Sequence, residues 1–162
     1  MSDVLLLGIG NVLLADDGLG AWFAATFPER RHVPAELEVV DGGTLGLELL
    51  DRIAGRRVLV VVDAVANGGR AGDLVRLEGK DVPAVLGAGL SSHDVALSDL
   101  LAAATLLDCA PQAVVLHGIE PAALTVGTEF SAPVQAALGA LETHVVDELA
   151  RFGCLCPPRA VR

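Results

Sequence analysis

Short apolar runs alternate with longer segments of helical periodicity along this chain. Four of the runs lack strict alternation of apolar and polar positions, as is typical of strands covered on both faces. These four runs are residues 4–8, 37–40, 58–62 and 114–116. The segments with apolar side chains at helical spacing are residues 19–27, 45–54, 94–108 and 133–152. This order of strands and helices predicts βαβ units that build a largely parallel sheet.

A fifth run, residues 74–77, has a different pattern. Val75 and Leu77 alternate with Arg76 and Glu78, and the Asn67-Gly68-Gly69 turn leaves too few residues for a helical crossover from the preceding strand. The run therefore predicts an antiparallel edge strand. We expect a single-domain α/β protein of three layers, in which a mostly parallel, twisted five-stranded sheet has one antiparallel edge strand and helices on both faces.

Composition and charge narrow the class of protein. The 162 residues are 52% hydrophobic and 20% charged, which predicts one globular domain over residues 1–162, with a flexible tail from about residue 153. A net charge of -10 opposes binding to nucleic acid, and the apolar runs are too short to span a membrane. The N-terminal residues do not resemble a secretory signal, so we expect a cytoplasmic protein.

The three cysteines fit a reducing compartment, because an odd number does not build a disulfide framework. They are Cys109, Cys154 and Cys156. Cys154 and Cys156 could contribute two soft metal ligands, but two cysteines without further ligands are weak evidence for a metal site. The favoured interpretation is that they are ordinary thiols in a free tail.

The loop after the first run begins like a phosphate-binding loop. Its sequence, GIGNVLLADDGLG, supplies Gly8 and Gly10 of a dinucleotide fingerprint, but Leu13 occupies the third glycine position. The lysine of a phosphate-binding loop is also missing. Asp16 and Asp17 then place two negative charges where a helix N-terminus would receive an anion. These acids favour a cation.

Other polar residues are predicted to share the edge with Asp17. Asp41 and Asp63 each follow a predicted strand, and the carboxyl ends of parallel strands meet at one edge of a sheet. His93 arrives at this edge if the loop over residues 87–92 leads into the third helix from there. The helix macrodipole disfavours an imidazolium at a helix N-terminus, so we expect a neutral His93 able to bind a metal.

Each of these residues also has a structural interpretation. Aspartates after strands are common turn formers or helix caps, and Ser91 with Asp94 resembles a capping box. His117 fits a paired core histidine, whereas His32 and His144 fit surface positions. The serines near His93 are better explained as caps than as nucleophiles, and Cys109 has no evident base beside it.

Five motifs in order resemble the [NiFe]-hydrogenase maturation proteases, which trim the C-terminal extension of the hydrogenase large subunit. The resemblance runs from residue 3 to about residue 152. The motifs are Gly8-Ile-Gly-Asn11 continuing to Asp16-Asp17-Gly18-Leu-Gly20, Asp41-Gly42-Gly43-Thr44 with Leu47-Glu48-Leu49-Leu50, Val61-Val62-Asp63-Ala64, Ser92-His93, and His117-Gly118-Ile119-Glu120-Pro121.

The resemblance implies an α/β endopeptidase that recognises nickel already inserted in its substrate, the large-subunit precursor. By position in the motifs, Asp17, Asp63 and His93 are implied as the metal-binding and catalytic residues, with Asp41, Gly42 and Gly43 handling substrate. Cadmium or zinc is expected to substitute for nickel. The family has either Glu or Asp at the position of Asp17. The aspartate of this chain is one methylene shorter than glutamate, so its carboxylate reaches about 1.5 Å less far. A monomer and a weak dimer are equally compatible with the sequence.

Two alternatives remain open at this point. One is a Rossmann-like nucleotide-binding module without catalysis, which nucleotides would stabilise and nickel or cadmium would not. The other is a scaffold for hydrogenase assembly, which would bind the precursor without shortening it.

Overall fold

The computed structural model describes residues 2–88 and 91–160. The strands are β1 (Val4–Ile9), β2 (Leu37–Gly43), β3 (Val58–Ala64), β4 (Leu74–Glu78) and β5 (Ala113–Ile119). The α-helices are α1 (Leu19–Arg30), α2 (Leu50–Ile53), α3 (Asp81–Gly87), α4 (Ser92–Leu106) and α5 (Ala132–Arg151). Short 3-10 turns, Ala15–Gly18 and Leu47–Leu49, precede α1 and α2. Within the described residues, no helix is long and apolar enough to cross a membrane.

The five strands form one sheet in the order β2-β1-β3-β5-β4. All neighbouring pairs are parallel except β4 with β5, which pair antiparallel. Gly8 of β1 is in register with Asp41 of β2 and Val62 of β3, so the carboxyl ends of these three strands meet at one edge. The predicted fold class is confirmed, including the antiparallel edge strand.

Two apolar cores cover the two faces of the sheet. On one face, α1 and α5 pack against β1 and β3 through residues such as Phe23, Phe27 and Val145. On the other face, the segment at α2 and helices α3 and α4 pack through residues such as Ile53 and Leu97. Each fully buried Leu or Phe side chain stabilises the fold by about 1.5–3 kcal/mol. The layers are therefore helix, sheet and helix.

Two predicted helix boundaries differ from the structure. The pattern ends the first helix before Pro28, but α1 continues to Arg30 with Pro28 in its last turn. A proline near a helix end removes only one backbone donor, and the N–H of Arg31 still bonds to Phe27 O at 3.0 Å. The second helix is predicted over residues 45–54, but the structure has only the 3-10 turn Leu47–Leu49 and α2 there. Gly46 adopts a non-helical conformation, so the helical segment begins after it.

Helix α3 was not predicted. It spans 7 residues, which is too short for periodicity to identify. The available signal is Asp81 in its first turn and the spacing of Val82 and Leu86, both of which are buried against the second core. The loop predicted over residues 87–92 is partly outside the described residues, since residues 89 and 90 are among those not described.

The segment after α5 packs against α1, in contrast to the flexible tail predicted from about residue 153. Cys154 and Cys156 are buried in the core between α1 and α5, at 0% and 3% exposure. The N–H of Arg159 donates to Arg30 O at 2.8 Å, and the N–H of His32 donates to Pro157 O at 2.9 Å. The two thiols act as small apolar side chains, and burial raises the pKa of Cys156 to about 11.

Candidate metal-binding site

The loop that follows β1 is shaped by close backbone contacts at its glycines. Gly10 has a φ of +139°, and a Cβ there would lie 1.9 Å from Asp17 O. Gly20, in the first turn of α1, lies so near the sheet that a Cβ would be 2.0 Å from Val62 O. Gly20 thus provides the close helix–strand approach that a third fingerprint glycine would give, and the loop carries Asp17 to the carboxyl edge of the sheet.

Asp17, Asp63 and His93 come together at this edge. Asp63 is the sixth residue of β3 and is fully buried, while His93 is in the first turn of α4. His93 Nδ1 lies 3.6 Å from Asp17 Oδ2, and Nε2 lies 3.4 Å from Asp63 Oδ1. Residues separated widely in sequence therefore form one buried cluster, as the alignment of strand ends predicts.

A further acid, Asp94, belongs to the same cluster. Its Oδ1 lies 3.2 Å from His93 Nε2, and the residue is 6% exposed. Sequence reasoning assigned Asp94 to a capping box with Ser91, but the Ser91 side chain makes no cap hydrogen bond; its hydroxyl lies 3.3 Å from His93 Nε2. We call Asp17, Asp63, His93 and Asp94 the His93 cluster.

Burial and charge perturb the ionisation of the cluster. Burial raises the pKa of Asp63 well above its usual range and raises the pKa of Asp17 against the opposing effect of His93. Burial acts to raise the pKa of Asp94 as well, but nearby His93 and Asp63 lower it overall. For His93, burial opposes protonation, yet Asp63 and Asp94 raise its pKa to about 10.

The prediction of a neutral His93 is therefore wrong for the metal-free cluster. The helix macrodipole contributes less than about 2 kcal/mol, and the surrounding carboxylates outweigh it. The imidazolium offsets the negative charge of the carboxylates around it. A bound cation would take over that role and release the proton from the ring.

Two buried oxygens of the cluster have no hydrogen-bond partner within the described residues, although one of them, Asp94 Oδ1, is in ion-pair contact with His93 Nε2. They are Asp63 Oδ2 and Asp94 Oδ1. Asp17 and Asp94 also line a cavity of about 20 Å³ with residues of the loops after β3 and β5. A cavity of this size holds one water or one ion. The cluster beside this cavity combines carboxylate oxygens with the imidazole nitrogens of His93, a set of ligands that suits a divalent transition metal.

Asp16 has a structural role although it adjoins Asp17. Its carboxylate accepts hydrogen bonds from the backbone N–H groups of Ala122, Ala123 and Ser131 at 2.7–2.8 Å, and from the Ser131 hydroxyl at 2.7 Å. Burial acts to raise the pKa of Asp16, but these bonds lower it overall. Asp16 thus ties the loop before α5 to the loop before α1.

Asp41, Gly42 and Gly43 lie at the same edge of the sheet, at the end of β2. Asp41 is exposed, and its Oδ1 accepts a hydrogen bond from the N–H of Gly43 at 3.0 Å. Within the described residues, no hydrogen bond or ion pair joins Asp41 to the His93 cluster. This is the geometry of a turn former that remains open to a ligand from solvent.

His117 faces the opposite side of the sheet, toward α5. Its Nε2 lies 2.9 Å from Glu148 Oε1, which also accepts a bond from Arg76 at 2.8 Å. Arg151 donates to Glu148 Oε2 at 3.1 Å. The predicted paired core histidine is confirmed, and we call Arg76, His117, Glu148 and Arg151 the His117 cluster.

The remaining candidates occupy the positions that the sequence predicts. His32 and His144 are exposed.

Glu120, whose role sequence reasoning missed, is buried and accepts hydrogen bonds from the N–H groups of Asn67 and Gly69 at 2.7 and 2.9 Å. It therefore fixes the loop between β3 and β4. Its place in the His117-Gly118-Ile119-Glu120-Pro121 motif was the available signal.

Known proteins share both the sequence and this arrangement of elements. The sequence model of the hydrogenase maturation protease family (HycI) matches residues 23–148. The Hydrogenase 2 maturation protease of Escherichia coli K12 is 31% identical over 157 residues, covering 96% of each chain. The hydrogenase expression/formation protein HupD of Rhodobacter capsulatus is 41% identical over 122 residues, which span 75% of this chain and 58% of that protein.

A solved structure agrees with these sequence relatives. The hydrogenase maturating endopeptidase HybD from E. coli superposes with a TM-score of 0.93 at 31% identity, covering 98% of both chains. Sequence and fold thus agree over nearly the entire chain. The chain belongs to the hydrogenase maturation protease family.

Proposed function

We propose that this protein is the cytoplasmic endopeptidase that removes the C-terminal extension from the large-subunit precursor of a [NiFe]-hydrogenase, and that it recognises nickel held in that precursor. The observation that carries this proposal is the His93 cluster. It places Asp17, Asp63 and His93 in one buried group in which Asp63 Oδ2 has no hydrogen-bond partner among the described residues. Buried oxygens of this kind are costly to the fold unless a ligand completes them.

The chemistry of the cluster favours a transition metal over magnesium or calcium. Magnesium and calcium prefer sites made of oxygen alone, whereas this cluster includes the imidazole of His93. Nickel and zinc bind mixed sets of imidazole and carboxylate ligands, and cadmium is a suitable stand-in for binding experiments. The nickel arrives with the substrate, so the cluster acts as a check that the precursor is loaded.

Asp63 is the residue best suited to accept a proton from the water that attacks the peptide bond. Burial raises the pKa of its carboxyl group well above the usual range, which makes the carboxylate a stronger base. Its Oδ2 has no competing hydrogen bond within the described residues. Asp17 and His93 are the charged neighbours of Asp63 in this cluster. The nickel held by the substrate would supply a Lewis acid near the scissile carbonyl.

The Asp41-Gly42-Gly43 segment is proposed to contact the precursor chain. It lies at the carboxyl end of β2, beside β1, on the edge that carries Asp17. Asp41 is exposed, and a Cβ at Gly43 would approach no atom more closely than 3.8 Å, the Asp41 Oδ1. An extended segment of the precursor could therefore lie along this backbone while its metal centre reaches the His93 cluster.

The test is cleavage of a purified precursor in nickel-loaded and nickel-free forms, followed by intact mass spectrometry. We expect the wild-type protein to release a C-terminal peptide from the loaded precursor alone. His93→Ala should abolish the reaction, whereas the exposed His32→Ala should cleave like wild type. Cleavage of the nickel-free precursor at the same rate would contradict nickel recognition.

Two measurements separate the alternatives, precursor cleavage with binding for one and thermal stability for the other. A scaffold would bind the precursor and leave its mass unchanged, with wild-type and His93→Ala proteins binding equally well. A nucleotide module would gain thermal stability from nucleotides and none from nickel or cadmium. Either result would contradict the endopeptidase proposal.

A further inference from the structure

Four large apolar side chains are exposed on the two loops beside the His93 cluster. Val12 and Leu13 belong to the loop after β1 and are 49% and 60% exposed. Leu124 and Val126 belong to the loop after β5 and are 39% and 88% exposed. We call these four residues the apolar rim. A single exposed apolar side chain is ordinary, but several at one place on a surface mark a site that another molecule covers.

Backbone hydrogen bonds join the two loops into one surface. The N–H of Gly127 donates to Leu13 O at 2.9 Å, and the N–H of Ala15 donates to Gly127 O at 2.8 Å. The carboxylate of Asp16 accepts further hydrogen bonds from the loop after β5. Because the loops are fixed to each other before a partner arrives, little conformational entropy is lost when the rim is covered.

The rim lies in an uncharged part of a strongly charged chain. Residues 8–15 and 121–128 contain no Asp, Glu, Lys or Arg, although the whole chain is 20% charged and has a net charge of -10. The cores of protein–protein interfaces are likewise depleted of charged residues. The composition of the two loops therefore suits an uncharged, apolar surface of another protein.

A cleft of about 500 Å³ opens beside the rim. Val12 lines one part of it, and Trp22, Phe130 and Leu138 line another, with Glu129 also in the lining. The rings of Trp22 and Phe130 meet edge to face, with centroids 5.3 Å apart. A cleft of this size and lining can receive a large apolar side chain, which is how many protein interfaces are anchored.

Leu124 connects the rim to the candidate metal-binding site. It is exposed, and it lines the small cavity that Asp17 and Asp94 also line. On the other loop, the N–H of Asn11, the neighbour of Val12, donates to Asp17 Oδ2 at 3.1 Å. A protein that brings a metal ion to this cavity therefore lies over the rim.

We propose that the apolar rim is the docking surface for the precursor, and that it binds an uncharged, apolar surface of the precursor next to the nickel centre. The inference rests on the proposed function, because the partner is identified by the nickel that it carries. The rim does not touch the reacting atoms, so its contacts are the same in the bound precursor and in the transition state. Such contacts lower KM and leave kcat unchanged.

The test measures cleavage of the nickel-loaded precursor over a range of precursor concentrations. Val126→Asp and Leu13→Asp should each raise KM by about tenfold or more and change kcat by less than about twofold. The matched controls are Leu106→Asp and Leu107→Asp, because these leucines are 87% and 63% exposed and lie at the opposite end of α4 from His93. Both controls should keep the KM of wild type.

Two further measurements exclude a merely structural or general charge effect. Val126→Leu keeps the position apolar and should retain the KM of wild type. The unfolding midpoint of Val126→Asp should match that of wild type, since the side chain is 88% exposed. An unchanged KM in the rim variants, or an equal rise in the controls, would overturn the proposal.

Binding of the precursor, measured by calorimetry, separates this inference from the proposed function. If wild type binds the precursor without cleaving it and Val126→Asp loses that binding, the docking surface stands and the endopeptidase function fails. If wild type cleaves and the rim variants keep its KM, the function stands and the docking surface fails. A wild-type dimer that Val126→Asp dissociates in light scattering would assign the rim to a second copy of this chain and overturn the proposal.

Discussion

Two buried histidines lie on opposite faces of the central sheet, and the charged residues around them differ. His93 lies in the first turn of α4 within a group of three aspartates, and none of these acids pairs with an arginine or lysine in the described part of the chain. His117 faces α5, where Glu148 is the single acid and two arginines accompany it. The neighbouring strands β3 and β5 thus carry two histidine–carboxylate groups of different composition.

The two clusters also differ in how completely their oxygens are paired. Both oxygens of Glu148 accept hydrogen bonds, one from His117 and Arg76 and the other from Arg151. Asp63 Oδ2 and Asp94 Oδ1 accept none among the described residues. Burial lowers the pKa of His117, whereas the carboxylates around His93 raise its pKa to about 10. A fully paired cluster stabilises the fold, while the incompletely paired one suits a cationic ligand.

The largest effect is expected for Asp63→Asn. This change removes the proposed base and one charge of the His93 cluster, so cleavage of the nickel-loaded precursor should fall about a thousandfold, equivalent to about 4 kcal/mol in the barrier. The free energy of unfolding should stay within about 1 kcal/mol of wild type, because the lost carboxylate is itself incompletely paired. Rates from quantified product mass and urea unfolding check both parts. A variant that unfolds readily but cleaves normally would contradict the comparison.

The reverse pattern is expected for Glu148→Gln. Removing this charge breaks the ion pair with Arg76 and weakens the buried hydrogen bond with His117, which should cost about 3 kcal/mol in the free energy of unfolding. Cleavage measured well below the unfolding midpoint should be unchanged, because the His117 cluster is on the other face of the sheet.

The matched control is Glu78→Gln, which removes a second partner of Arg76. The Glu78 side chain is 65% exposed, so its loss should cost less than about 1 kcal/mol. Equal losses for the two variants in urea unfolding would show that burial does not distinguish these pairs.

The pH dependence of stability gives a smaller effect. Burial lowers the pKa of His117, so the unfolded chain binds this proton more readily than the folded protein. The resulting stability is present above an unfolded pKa of about 6.5 and is lost as the pH falls through the folded pKa. We expect wild type to lose about 1 kcal/mol more than His117→Gln between pH 7 and 5.5.

Urea unfolding of both proteins at several pH values measures this difference. The contribution of His93 is common to both proteins and cancels when they are compared. Parallel stability curves over this range would contradict a lowered pKa for His117.

Most of the fold was predictable, because the information is carried by neighbouring residues. The run Val58 to Val62 is continuous and β-branched, which indicates a buried strand, and β3 extends it by two residues to include Asp63. Parallel strands align their carboxyl ends, so Asp17 and Asp63 could be placed at one edge. Helix α3 and the shortened α2 were not predictable, since one or two turns carry too little periodicity.

The membership of Asp94 in the site was not predictable for a different reason. At a helix N-terminus an aspartate is most simply interpreted as a cap, and nothing local distinguishes that role from a site role. The distinction depends on β3, which brings the buried Asp63 beside the first turn of α4. The ionisation of His93 likewise depends on the acids around it and not on the helix dipole that the sequence reveals.

The smallest effect is expected for Arg151→Ala. Arg151 donates to Glu148 Oε2 at 3.1 Å, but its side chain is 68% exposed. Removing it uncovers that oxygen, and water replaces the lost hydrogen bond, so the free energy of unfolding should fall by less than about 0.5 kcal/mol. Urea unfolding at low and high salt checks this, because an exposed pair weakens as salt screens it. A loss of unfolding free energy near that of Glu148→Gln would contradict this expectation. It would mean that water cannot replace Arg151 as the hydrogen-bond donor to Glu148 Oε2, so that both oxygens of Glu148 depend on their protein partners.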